Sequence, residues 1–329
     1  MILILTSRTD KSTVDVLNWL WSKGVSFIRI SEESNLQIEE MRMEDGEVEF
    51  IFTYEDYDGT AKSFRLSDIS SYWYRRSHLL FNRKNLLLLD ELTDDKNLTH
   101  ALKAFANSEQ KEFVQFIFSY LDKIHSLGNY RDNDTNKLFN LYIAEKCGLK
   151  TPLTYYTSDK NKFKEFVNAT NKQLITKGLG NNWIQINDIA ATGMTEKVDH
   201  EIVENKEYGY AFVQEQIEKL FELRIFYMKN KCYSSAIFSQ NNKKTSVDFR
   251  NYDTEVPNRI VPYILPKSIA EKVNLFMDSI HMSTGSLDIL VSKEGEYIFL
   301  EVNPVGQFAQ VSYPCNFNIE EKIANYLIN

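Results

Sequence analysis

Cysteine is scarce in this chain: Cys147, Cys232 and Cys315 are odd in number and form no CxxC pair in 329 residues. That spacing argues against a disulfide framework or a structural zinc site and for a reducing compartment. A surplus of basic residues is also lacking. With 46 acidic against 38 basic side chains the formal net charge is -8, whereas a general nucleic-acid or membrane-surface binder needs a basic face to displace counterions. Local basic pockets stay open. Long apolar runs are absent too: Met1–Leu5 is too short for a membrane span or a signal-peptide core, with no basic residue before it, and reads as a strand of a soluble cytoplasmic protein. There is no internal repeat, and low complexity is confined to the polar stretch Asn241–Lys244. What is present is a hydrophobic fraction of 43% with 13% aromatics, too rich for a disordered chain and enough for a large core in two or three domains.

The chain opens with apolar Ile2–Leu5, a helical stretch Ser12–Lys23 closed by Gly24, and apolar Val25–Ile30, a βαβ pattern that predicts an α/β layer. The turn after the first strand, Thr6–Asp10, holds no glycine, so no dinucleotide site is expected there. Val48–Tyr54 and Ser63–Leu66 flank Asp56-Tyr57-Asp58-Gly59 as a hairpin, and Ile69–Tyr74 reads as a strand ending in Arg75-Arg76;. From Ser108, the residues Phe113, Phe116, Ile117, Tyr120, Leu121 and Ile124 keep helical spacing up to Gly128-Asn129;. Asp134 can cap a further helix from Thr135 to Gly148, which places Lys137 in its first turn. Strand-like runs follow at 173–176, 211–213, 223–228 and 233–238.

Chemistry concentrates in Ser286–Asn303, two apolar strands around Glu294-Gly295. If those two residues are the loop, the register sets Asp288 opposite Glu301, and period two puts Asn303 on the face of Glu301. Two facing carboxylates among Leu, Ile, Val and Phe need a neutralising cation. Magnesium fits, because it accepts carboxylates and completes its octahedron with waters and nucleotide phosphates. The alternative is a slipped register with both acids solvated at the sheet edge.

Lys177 follows the strand Leu174-Ile175-Thr176 and precedes Gly178-Leu179-Gly180, a turn able to lay a lysine and backbone N–H groups along phosphate oxygens. Lys137 lies at a helix start, where the dipole favours anions. Taken singly, each lysine is more often a solvated surface residue. The strand leading into Gln214-Glu215-Gln216-Ile217 can offer backbone groups to an adenine edge, and Glu222 can accept from ribose hydroxyls. Arg224 and Arg250, on or beside apolar strands, require a phosphate or carboxylate partner, or are satisfied internally by Glu222 or Asp248.

In this order the pieces resemble an ATP-grasp ligase over most of residues 129–329: Lys137, Gly148-Leu-Lys-Thr-Pro152, Lys177, Gln214-Glu215, Glu222-Leu-Arg224, Asp288 and Glu301-Val-Asn303-Pro304. More narrowly, Trp73-Tyr-Arg-Arg76, Ser239-Gln240, Asp248-Phe-Arg250 and Asn303-Pro-Val-Gly-Gln307-Phe308 resemble the peptide maturases of microviridin-type (graspetide) pathways. The ending Val311–Phe317 through Ile323-Ala324 is similar to the grasp-with-spasm branch, whose ATP-grasp enzyme is encoded beside a radical SAM/SPASM protein.

The resemblance implies an α/β fold with a pre-ATP-grasp domain (1–107), a connecting helix (108–128) and two α+β lobes (129–212 and 213–329) that clamp ATP. It implies phosphate contacts from Lys137 and Lys177, adenine contacts from the backbone at Gln214, Glu215 and Ile217, and a ribose contact from Glu222. Magnesium would be held by Asp288, Glu301 and Asn303, with Arg224 and Arg250 catalytic and Arg75, Arg76 and Gln240 toward the substrate. The lid Gly178–Asn182 is poorer in glycine than in many ATP-grasp enzymes. The implied reaction is carboxylate activation as an acyl phosphate, then closure of an ω-ester or ω-amide ring in a ribosomal precursor peptide, by a cytoplasmic homodimer. The competing readings are a ligase that joins a free amino acid or amine to a carboxylate, and a non-catalytic ATP-binding regulatory module.

Overall fold

The computed structural model describes residues 1–75, 81, 95–131, 135–179, 183–186, 189–192, 195–198, 211–239 and 258–329. The chain forms two compact units, one of Met1–Asn133 with Asn318–Asn329 and one of Asp134–Phe317.

The first unit holds β1 (Ile2–Leu5), α1 (Lys11–Ser22), β2 (Phe27–Ile30), β3 (Gln37–Glu44), β4 (Glu47–Glu55), β5 (Ala61–Arg65), β6 (Ser71–Tyr74), α2 (Lys96–Leu121) and β7 (His125–Leu127). Strands β2-β1-β6-β7 make a parallel sheet. Its central strands are buried throughout, as expected for a parallel layer covered on both faces;. Strands β3-β4-β5 make an antiparallel sheet, one face of which buries Phe50, Phe52 and Phe64. The predicted hairpin at 56–59 is there. Strand β3 was not foreseen, and α2 starts at Lys96, capped by the Asp95 side chain, well before Ser108.

The second unit carries α3 (Lys137–Lys146), β8 (Thr154–Thr157), α4 (Lys160–Ala169), β9 (Leu174–Thr176), β10 (Trp183–Ile186), β11 (Ile189–Thr192), β12 (Glu196–Lys197) and β13 (Ala211–Glu215). It continues with β14 (Lys219–Met228), β15 (Lys231–Phe238), β16 (Arg259–Tyr263), α5 (Lys267–Ser279), β17 (Thr284–Ser292), β18 (Tyr297–Asn303) and α6 (Ala309–Cys315). Strands β12-β9-β13-β8 form one sheet, where Leu174 and Val213 pack on Phe163 of α4. Strands β16-β15-β14-β17-β18 form a second, and β10-β11 pair by themselves. One face of the five-stranded sheet is closed by α3 and α5: Leu141, Ala144, Val273, Phe276 and Met277 bury Leu223, Ile225, Leu287, Ile289, Val291, Phe299 and Val302.

The chain then returns to the first unit. After α6 it turns through Asn316 and Asn318, both left-handed (φ 52° and 50°), into α7 (Ile319–Ile328), which packs on α1, β6 and β7. Ile319, Ile323, Ala324 and Leu327 are buried there. Sequence reasoning assigned 213–329 to a single lobe and did not foresee this crossing.

Candidate active site

The face of the five-stranded sheet turned away from the helices collects the polar residues. Strands β14 and β17 pair antiparallel with Arg224 opposite Asp288 and Glu222 opposite Leu290. Because Leu223, Ile225, Leu287 and Ile289 point into the core, period two turns Glu222, Arg224 and Asp288 to the other side. On β18 both Phe299 and Val302 reach the core, three residues apart, so the alternation breaks between them. The register shift between Asp288 and Ile289 leaves Leu300 as the additional residue of a β-bulge. Past it, Glu301 lies opposite Asp288 and Asn303 opposite Ser286.

The loop of this hairpin differs from expectation. Ser292 N donates to Glu296 O at 2.9 Å, Gly295 N donates to Ser292 O at 2.9 Å, and Gly295 has φ 79°. The loop is therefore three residues, Lys293-Glu294-Gly295, and shifts the register by one. The bulge at Leu300 cancels that shift, so Asp288 faces Glu301 although the predicted two-residue loop is not formed.

Each carboxylate on this face has a cation. Arg224 Nη1 lies 2.5 and 2.6 Å from the two Asp288 oxygens, and these side chains are only 11% and 15% exposed. Lys137 Nζ is 3.1 Å from Glu301 Oε2. Lys219 Nζ is 2.7 Å from Glu222 Oε1, which also accepts from Ser239 Oγ at 2.8 Å. Burial pushes the Glu222 carboxyl above the ordinary glutamate value; Lys219 and Ser239 oppose that rise and nearby Asp288 adds to it. The alternative of Arg224 paired with Glu222 is thus replaced by Arg224–Asp288 and Lys219–Glu222.

Lys137 is the first residue of α3, whose cap is Asn136, accepting from Phe139 N at 3.0 Å; the proposed cap Asp134 lies outside the described residues. Lys177 follows β9 half-buried, while Gly180–Asn182 lie outside the described residues. Gln214 is buried in β13 and donates to Thr154 Oγ1 at 3.0 Å. Glu215 Oε2 accepts from Lys172 Nζ at 2.6 Å, and Gln216 N donates to Gln173 O at 2.8 Å. Among the described residues no hydrogen bond uses the backbone of Ile217. Residues Gln216 and Ile217 border a cleft of about 590 Å³ with Lys172, Ser292 and Ile298. In the first unit Arg75 is buried, with its Nε 2.8 Å from Asp10 Oδ2, so its guanidinium already has an internal partner. Arg76, Gln240 and Arg250 lie outside the described residues.

No family model matches the chain. It is 24% identical over 199 residues, 58% of its length and 69% of the relative's, to the alpha-aminoadipate–LysW ligase LysX of Sulfolobus acidocaldarius. Among solved structures it is similar to a RiPP-associated ATP-grasp ligase of Chryseobacterium gregarium, in complex with ADP and a leader and core peptide. That likeness covers 99% of this chain and 94% of that one, at 26% identity and a TM-score of 0.76. The macrocyclase MdnC of Microcystis aeruginosa MRC, bound with precursor peptide MdnA, matches 100% of this chain and 99% of its own at 25% identity, with a TM-score of 0.77. The chain is an ATP-grasp ligase of the graspetide-maturase type.

The polar sheet face can accommodate the cation such a ligase uses. Among the described residues no group of three or more His, Cys, Asp or Glu side chains could hold a metal, which leaves no all-protein cage. Two carboxylates and an amide, Asp288, Glu301 and Asn303, suit magnesium, whose shell is completed by phosphate and water. Arg224 and Lys137 neutralise those carboxylates in this structure, evidence that the pair requires positive charge. Sequence reasoning missed Lys219, the partner of Glu222, and Lys172, the partner of Glu215. Lys219 precedes a register shift at Phe221, so simple alternation does not place it beside Glu222, and Lys172 carries no local signal.

Proposed function

We propose that the protein uses ATP to activate a side-chain carboxylate of a ribosomally made precursor peptide and closes a macrocycle with it. The observation that carries this reading is the convergence of Asp288, Glu301 and Asn303 with Arg224 and Lys137 on one sheet face. Similarity to ligases solved with leader, core or precursor peptides supports a peptide as the substrate class.

A carboxylate oxygen of a peptide Asp or Glu attacks the γ-phosphorus and breaks its bond to the bridging oxygen, giving an acyl phosphate and ADP. A Thr or Ser hydroxyl, or a Lys amine, then attacks the acyl carbon, gives up its proton and expels phosphate, leaving an ω-ester or ω-amide. Asp288, Glu301 and Asn303 would hold magnesium, which when bound neutralises phosphoryl oxygens. Lys137 and Lys177 bind phosphate oxygens, the backbone at Gln214, Glu215 and Ile217 receives the adenine edge, and Glu222 accepts from ribose hydroxyls. Arg224 and Arg250 hold the acyl phosphate with charge-assisted bonds that position it for attack. Arg224 and Lys137 change partners in this scheme, giving up carboxylates for phosphoryl oxygens. Arg76 and Gln240 would contact the peptide, and Arg75 would do so only by giving up its buried pairing with Asp10. The homodimer and cytoplasmic setting implied by the resemblance belong to the same proposal, and light scattering on the purified protein checks the former.

The test mixes protein, ATP and magnesium with a Thr-rich, Glu/Asp-rich precursor peptide. ADP release together with loss of one water mass per ring is expected. A gain in mass from an added amine would favour the amino-acid ligase reading, and nucleotide binding without ADP release would leave a binding module. Lys137→Ala and Lys177→Ala should each weaken nucleotide binding about tenfold, the scale of one charge-assisted contact; wild-type affinity in both would remove them from the phosphate site.

A further inference from the structure

The segment that follows β18 is held unusually tightly against the strand beside it. Gly306 N donates to Asn303 O at 3.1 Å, closing a turn over Pro304-Val305. A Cβ at position 306 would lie 2.1 Å from both Cβ and Oγ of Ser286 and 2.8 Å from its backbone N. The hydroxyl can rotate about χ1, but Cβ and the backbone N are fixed by the strand and cannot swing aside. Gly306 is not in the left-handed region, so the glycine serves the close approach and not the backbone conformation. Ser286 is the residue paired with Asn303 across the β17–β18 ladder, and its Oγ lies 3.5 Å from Gln307 O. Beyond the turn, Phe308 is 1% exposed and its ring centroid is 5.3 Å from that of Phe226, two residues along β14 from Arg224. The turn is thus pinned at its start, middle and end to the strands that carry Arg224 and Asp288.

We infer that Gly306 is a positioning residue that sets the Asn303 amide for the metal by letting its turn close onto the strand at Ser286, an inference that rests on the magnesium reading above. A Cβ at 306, 2.1 Å from the nearest Ser286 atoms, reaches ordinary contact at 3.4 Å only if the turn moves by about 1.3 Å. Metal–ligand distances tolerate about 0.2 Å. Asn303 lies three residues from the clash and is bonded to Gly306 through its own carbonyl, so the displacement reaches it before it can be dissipated. Gly285 narrows the escape on the other side, since a Cβ there would meet Val302 Cγ2 at 3.2 Å and Asn303 O at 3.3 Å.

The experiment titrates wild type, Gly306→Ala, Ser286→Gly and the double variant with ADP, with and without magnesium chloride, and records the thermal midpoint of each. Wild type is expected to bind ADP more tightly with magnesium. Gly306→Ala should lose at least tenfold of that magnesium-dependent gain while its metal-free ADP affinity stays within about twofold. Ser286→Gly should keep the gain, and the double variant should recover part of it, because the two 2.1 Å clashes with the Ser286 side chain are gone and only the milder 2.8 Å approach to its backbone N remains. Should Gly306→Ala fail to fold, Ser286→Thr presses on the same turn from the strand side and should show the same selective loss. A Gly306→Ala or Ser286→Thr protein with the full wild-type magnesium gain would overturn the inference alone, as would a folded double variant no better than Gly306→Ala. Wild-type protein whose ADP affinity ignores magnesium would instead overturn the metal reading on which it rests.

Discussion

Asp288 holds Arg224 through both carboxylate oxygens in a setting where neither side chain is more than 15% exposed, so a substitution there acts twice. Asp288→Asn should abolish peptide modification and also cost about 1–3 kcal/mol of stability by leaving a buried guanidinium half-satisfied; urea unfolding at neutral pH measures the second effect. Glu301→Gln, whose partner Lys137 is more exposed, should lose activity with a smaller stability change. Glu222 sets a pH dependence. Burial raises its carboxyl, so the folded protein keeps that proton to higher pH than the unfolded chain, whose glutamates titrate near about 4.3. The stabilisation is complete below that pH and is lost as pH rises through the folded value. The thermal midpoint of wild type should therefore fall relative to Glu222→Gln over the interval above about pH 4.3, and parallel curves would show that the shift is absent. These pairings were only partly legible beforehand. The need of Arg224 for an anion follows from its apolar strand, but Arg75 finds Asp10, 65 residues away, and nothing local announces a partner at that separation.

Among the elements, β17 and β18 were readable because two apolar runs of matching length flank a glycine turn, and period two then carries the argument to Asp288 and Glu301. The bulge at Leu300 was not readable, since a leucine among leucines leaves no composition mark; it is visible only as Phe299 and Val302 sharing one core. Deleting Leu300 leaves Phe299 and Val302 two positions apart, so both can keep facing the core with Glu301 between them facing out, and the pairs Ile289–Phe299 and Asp288–Glu301 close into a regular ladder;. The deletion variant should therefore fold with a thermal midpoint close to that of wild type, and a midpoint lowered by many degrees would argue that the bulge itself is needed for packing. Strand β3 escaped prediction for the opposite reason: Gln37–Glu44 is half charged and mostly exposed, and it is a strand because β4 offers it a partner. The first half of α2 was missed because Leu98 and Phe105 are exposed apolar residues that do not mark a buried face.

At the level of the whole molecule, the α/β class was legible because strands and helices alternate with clear periods, and the ATP-grasp fold was legible through the order of motifs that carries the resemblance. The discontinuity of the first unit was not, since which surface receives an amphipathic helix is a matter of tertiary packing. Helix α7 completes that unit: Tyr326 O lies 2.7 Å from His125 Nε2, Tyr326 Oη donates to Ser126 O at 3.2 Å, and Lys23 pairs with Glu321 at 3.5 Å. A protein stopped after Phe317 should bind an apolar dye and lose amide protection in β1, β6 and α1 while β14 and β17 keep theirs; equal protection in both units would show that α7 is an accessory. The same connectivity orders events during synthesis. The first unit leaves the ribosome first and is finished last, because the surface of α1, β6 and β7 that receives α7 stays uncovered until all of Asp134–Phe317 has been made. Any pause within that interval exposes a half-built parallel sheet, and a chaperone that protects the nascent chain would be needed at the amino-terminal unit, not at the catalytic lobes.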